Sequence, residues 1–67
     1  MYAVKRSHNI QRVSPEYAKR ILAEHRPLGL FYTEESGFYI GIDNRTGAAW
    51  TEMFASMYSC REWLEEG

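Results

Sequence analysis

Cysteine occurs once in the 67 residues, as Cys60. An internal disulfide is therefore excluded, and a reducing, cytoplasmic home is expected. Proline is scarce, at two residues, and glycine stands at five. No low-complexity tract and no internal repeat is present. No run approaches the roughly 18 apolar residues that a membrane span needs, so no membrane partner is expected. No basic segment leading into an apolar stretch marks a secretory signal, which removes force from the Asn44-Arg45-Thr46 glycosylation sequon. A glycine-rich phosphate loop and a G-x-S-x-G nucleophile motif are both missing.

What is present points to one packed domain over residues 1–67. Hydrophobic residues make up 45% of the chain and aromatics 15%, which argues against disorder. At 7.9 kDa the chain should bury only about 60% of the surface its unfolded form exposes, a thin margin. Charge is uneven. Residues 1–26 hold six basic and two acidic side chains, a net of +4, whereas residues 27–67 hold two basic and seven acidic ones, a net of −5. This pattern fits complementary packing of the two halves, head-to-tail self-association, or a modest nucleic-acid footprint on the basic half.

The clearest local signal is Ser14-Pro15-Glu16. Serine caps a helix, proline suits its first position, and a carboxylate there meets the positive end of the dipole. Val13 supplies a hydrophobic staple. The spacing predicts a helix from Pro15 to about His25, with Tyr17, Ala18, Ile21, Leu22 and His25 on one stripe. Arg26-Pro27 ends it. Leu28 to Phe54 reads as a three-stranded antiparallel meander. Strand one spans about Leu28–Glu34, with Leu28, Leu30 and Tyr32 on one face and Phe31 on the other. Strand two spans Phe38–Asp43, with Phe38, Ile40 and Ile42 opposite Tyr39 and Gly41. Strand three spans Ala48–Phe54, with Trp50 and Phe54 opposite Ala49, Thr51 and Met53. Turns are expected at Glu34–Gly37 and Asn44–Gly47. Gly41 within a strand marks a bulge or a close approach. Ser56 caps a last helix from Met57 to about Glu65, with Met57, Cys60 and Leu64 inward. Residues 1–13 are expected as a flexible arm or, around Tyr2–Arg6, a fourth edge strand.

The expected fold is thus α+β, in the order (β)-α-β-β-β-α, with both helices covering one face of the sheet. The expected core is Ile21, Leu22, Leu30, Ile40, Ile42, Trp50, Phe54, Cys60 and Leu64. Tyr2, Phe31, Tyr32, Tyr39 and Tyr58 cannot all fit inside so small a core. Some must lie on the surface or in an interface.

No constellation for catalysis emerges. Cys60 beside His8 or His25 is conceivable as a thiol–imidazole pair, but Cys60 lies on an apolar stripe, where it reads as a small core side chain. His25 reads as a helix-end residue and His8 as a solvated turn residue. No Cys or His pair has metal-ligand spacing. Glu34 and Glu35 fall at the opposite end of strand two from Asp43, which counts against a shared cation. Asp43 is expected to bond the turn backbone. Glu52 alternates with Trp50 and Phe54, so it sits at a rim, pairs with Arg61, or belongs to an interface. No enzyme activity, cofactor or metal is expected.

The stretch Gly41-Ile42-Asp43-Asn44-Arg45-Thr46-Gly47-Ala48-Ala49-Trp50-Thr51-Glu52-Met53-Phe54, followed by Cys60-Arg61-Glu62-Trp63-Leu64, resembles small uncharacterised proteins of Firmicutes and of their phages or mobile elements. Those share a G-I-D-N-x-T-G-x-A-W-x-E-x-F core and a terminal C-x-x-W-L helix. The resemblance covers about Leu28 to Leu64 and leaves residues 1–27 outside it. Ala48 stands where the pattern commonly has an acidic residue, so no charge role carries over to that position. The resemblance implies a setting in which small proteins act by binding and blocking a host protein.

The leading expectation is a small non-catalytic binding protein that self-associates and occupies a surface of a host protein. Phe31, Tyr32, Tyr39, Glu52 and Tyr58, together with the Glu35–Gly37 turn, are its candidate contacts. The alternative is single-stranded nucleic-acid binding, with an aromatic sheet face that stacks bases and Lys5, Arg6, Arg12, Lys19 and Arg20 meeting phosphates.

Overall fold

Short connections and capped helices set the architecture. The computed structural model describes residues 9–66. The expected strand at Tyr2–Arg6 lies outside those residues. The elements run β1 (Ile10–Arg12), α1 (Pro15–Glu24), β2 (Gly29–Glu35), β3 (Phe38–Asn44), β4 (Trp50–Phe54) and α2 (Met57–Glu66). The class is α+β, as the element order led us to expect, with one four-stranded mixed sheet in the order β1-β2-β3-β4.

Among the described residues the edge strand on this side of the sheet is β1. Ile10, Gln11 and Arg12 pair in parallel with Leu30, Phe31 and Tyr32. The Val13 N–H extends this ladder to the Tyr32 carbonyl at 2.9 Å. Ile10 to Val13 are therefore tied to the sheet and not part of a free arm. A parallel neighbour requires a crossover, and α1 provides it.

Ser14 opens α1 as its sequence context predicts. Its backbone is extended, and its Oγ accepts from the Tyr17 N–H at 3.1 Å. The helix closes one residue earlier than expected. His25 turns left-handed at φ 60° and returns its N–H to the Ile21 carbonyl at 2.7 Å. Ser56 opens α2 in the same manner as Ser14, accepting from the Ser59 N–H at 3.2 Å. The β2–β3 hairpin turns on Ser36 (φ 56°) and Gly37 (φ 82°). Positive φ at both central residues matches the twist of the flanking strands.

The helices do not share a face, contrary to the one-sided cover expected from the sequence. Leu30 and Phe31 are adjacent in β2, so they point to opposite sides of the sheet, and both are buried. Phe31 and Ile42 pack with Ala18 and Ile21 of α1, supported by Val13 and Leu22. Leu30 packs with Cys60 and Leu64 of α2, supported by Ile10, Tyr32, Tyr39, Phe54 and Trp63. Two small cores thus sandwich the sheet. Burial of the adjacent Leu30 and Phe31 is what a strand covered on both sides shows.

The expected core holds at Ile21, Leu30, Ile42, Cys60 and Leu64, all buried. Leu22, Ile40 and Phe54 are half-buried. Trp50 is not in the core, being 67% exposed on the edge strand β4. Gly41 is a close approach, as expected. A Cβ there would lie 3.1 Å from Trp63 Cε3 and 3.2 Å from Cys60 Sγ.

Candidate interaction surface

The two helices cover the sheet unequally. On the α1 side, that helix lies over β2 and reaches Ile42 of β3. Further toward β4 the same face carries Phe38, Ile40, Thr51 and Met53, as strand alternation and the Ile40↔Met53 and Ile42↔Thr51 pairs require. Phe38 is 44% exposed and Met53 59% exposed, with Ile40 half-buried between them. An apolar strip is therefore open to solvent beside α1. β4 borders the strip and pairs only with β3 among the described residues, so its outer edge is unpaired.

The opposite face is better filled. α2 packs over β3 and β4, and the Trp63 and Phe54 rings meet at 5.8 Å, tilted by 49°. Tyr39 and Tyr32 are half-buried at the margin of that cluster. Burial pushes the Cys60 thiol above its ordinary value, so it is a poor nucleophile.

The residues expected to form an interface are dispersed. Phe31 is 2% exposed beneath α1 and cannot contact a partner. The expectation of an open Phe31–Tyr39 face fails because each side chain lies under a different helix. Glu52 is exposed on β4 opposite Gly41, and no pair forms with Arg61, which instead meets Glu65 at 3.1 Å. Tyr58 is 72% exposed on the outer side of α2. Its hydroxyl donates to Glu62 at 3.1 Å, which raises the phenol above its ordinary value. The Glu35–Gly37 turn is exposed. The exposed residues of the strip, Phe38 and Met53, were read from the sequence only as strand positions. The one available signal was their place on β3 and β4, the strands farthest from the one that leads into α1.

The basic residues are likewise divided. Lys5 and Arg6, with His8, lie outside the described residues. Arg12 is on the α2 side, where it meets Glu34 at 3.4 Å. Lys19 and Arg20 ride on α1 across the sheet, and Arg20 lies 3.9 Å from Glu24. Arg12 is thus separated from the α1 cations by the thickness of the sheet. The Tyr17, Arg20, Glu24, Arg26 and Pro27 side chains line an open depression of about 290 Å³ at the end of α1.

The turn residues hold structure. Asp43 accepts from the Arg45 backbone N–H at 3.2 Å and from its guanidinium at 3.0 and 2.8 Å. These bonds keep Arg45 more firmly protonated than usual. The His25 ring meets the Gly47 carbonyl through Nδ1 at 2.7 Å. A carbonyl only accepts, so Nδ1 carries the proton. The Asn44 amide, fully buried, donates to the Pro27 carbonyl at 2.8 Å. Both contacts tie the α1–β2 connection to the β3–β4 loop. Among the described residues no group of three or more His, Cys, Asp or Glu is placed to hold a metal ion. No described helix is long and apolar enough to cross a membrane. The chain matches no family model, no curated protein and no solved structure.

Proposed function

We propose that this chain is a small non-catalytic protein-binding module that occupies an apolar surface of a host protein and also self-associates. The observation that carries the reading is the open strip beside α1, with Phe38 44% and Met53 59% exposed next to a strand edge that is unpaired among the described residues. Exposed apolar side chains gathered beside an unpaired edge mark protein contact sites. The resemblance to proteins of Firmicutes, their phages or mobile elements supplies the setting, a cytoplasmic blocker of a host protein. No enzymatic role forms part of this reading.

The test is site-specific photocrosslinking in host extract. A benzophenone side chain at position 38 should capture one discrete protein, and Met53→Lys in the same molecule should abolish that capture. The same group at position 19, on the solvent side of α1, should capture nothing. Equal capture from both positions, or none from position 38, refutes the reading. Nucleic-acid binding remains the second reading only for the basic front. It is disfavoured because Arg12 and the α1 cations lie on opposite sides of the sheet and Phe31 is covered.

A further inference from the structure

The two edges of the sheet differ in their protection. β1 is three residues long and carries Arg12. Shortness and charge both discourage another strand from adding there. β4 is longer, Trp50-Thr51-Glu52-Met53-Phe54, and has no proline or lysine. Its first four residues are exposed. Glu52 is its only ionisable side chain.

From this edge we infer that the chain forms a two-fold dimer by antiparallel pairing of β4 with β4 of a second copy, with Met53 at the axis. The inference rests on the self-association in the reading above and names the surface and register. A second copy presents the same N–H and C=O groups, unpaired among the described residues, and an antiparallel pair of identical strands closes on itself without leaving a growing end.

The register follows from chemistry on each face. A two-fold axis normal to the sheet places one residue opposite its own copy, with side chains on the same face about 4.5–5.5 Å apart at Cβ. Centring on Glu52 sets identical carboxylates against each other, between Trp50 and Phe54 side chains that keep water away. Like charges so placed repel. Centring on Thr51 requires Ala49 to join the pairing, but Ala49 is left-handed at φ 55° and cannot continue a strand. Centring on Met53 brings no like charges together. It sets Met53 against Met53 and Glu52 against Phe54, and the pairing ends where the chain bends at Ala55. It also continues the row in which Ile40 already pairs with Met53, so Ile40, Met53 and their copies form one apolar band across the junction. That band covers part of the strip α1 leaves open.

Sedimentation velocity on the full chain from about 1 to 100 µM tests the association, since Kd values in that range suit a short edge contact. A dimer is expected at the upper end. Met53→Lys should weaken it at least tenfold while far-UV circular dichroism stays unchanged, because Met53 is exposed. A short bismaleimide should join Met53→Cys into a covalent dimer. It should join neither the wild type, whose Cys60 is buried, nor Thr51→Cys, whose copies lie four residues out of register. A monomer at 100 µM overturns the inference and the self-association together. A dimer that Thr51→Cys joins as readily, or that Met53→Lys leaves intact, overturns the β4 register and leaves self-association standing. Photocapture at position 38 with Met53 unchanged reads the host contact separately.

Discussion

Replacing Gly41 by alanine probes how α2 seats on the sheet. A Cβ built on Gly41 would stand 3.1 Å from Trp63 Cε3 and 3.2 Å from both Trp63 Cζ3 and Cys60 Sγ. Carbon contacts are favourable only at about 3.5–4.0 Å, so the indole must move or strain. Neither yields easily. Cys60 is buried, and Trp63 is half-buried and holds its ring against Phe54. Overpacking of this kind costs roughly 1–3 kcal/mol. Alanine also restricts the unfolded chain, which returns about 0.4–1 kcal/mol. The net expectation is a loss of about 1–2 kcal/mol, against a total stability of roughly 3–10 kcal/mol for a chain this size. The melting temperature should fall by roughly 5–15 °C. Urea titration followed by far-UV circular dichroism gives the value without relying on tryptophan emission. The mechanism is isolated by a cycle with Trp63→Leu, which removes the atoms nearest the new methyl. In that background Gly41→Ala should be neutral or stabilising, a coupling of about 1 kcal/mol or more between the two sites. If Gly41→Ala destabilises both backgrounds equally, or stabilises the wild type, the α2 packing described here is wrong.

Three further outcomes follow from single groups. Thr33 Oγ1 is buried with no hydrogen-bond partner, so Thr33→Val, which keeps the shape, should be neutral or stabilise by about 1 kcal/mol. A loss of that size in a thermal melt would mean the hydroxyl has a partner. At His25, φ 60° favours glycine. His25→Gly should lose only the ring contact with Gly47, whereas His25→Ala should be about 1 kcal/mol worse again through backbone strain. Equal urea midpoints for the two variants contradict the assigned cap. Burial raises the Cys60 thiol in the folded protein. Folded protein then holds that proton to higher pH than the unfolded chain does. The stabilisation is complete below the unfolded thiol value of about 8.5 and declines as pH rises past it. Urea midpoints between pH 7.5 and 9.5 should therefore fall for the wild type and stay flat for Cys60→Ala. Parallel slopes refute the burial effect.

Much of the local structure is readable from short stretches. Ser14-Pro15 and Ser56 open helices because their side chains meet orphan N–H groups a few residues on. The β2–β3 hairpin follows from Ser36-Gly37. The partition of Leu30 from Phe31, Ile40 from Gly41 and Trp50 from Met53 follows from strand alternation. Gly41 could be recognised as a close approach, though not that Trp63 makes it. The His25–Gly47 and Asn44–Pro27 ties had no signal, since each joins loops 17 or more residues apart.

Sequence alone therefore determined the element order, the caps and which side chains share a face, because these depend on dihedral preferences and hydrogen bonds within a few residues. Tertiary structure decided which faces are covered. β1 pairs in parallel with β2, so the crossover lays α1 on the Phe31 side, and the short Ala55-Ser56 link sends α2 to the Leu30 side. Alternation makes two faces equivalent in principle. Only the path of the chain between elements breaks that equivalence, hiding Phe31 and leaving Phe38, Trp50 and Met53 in water.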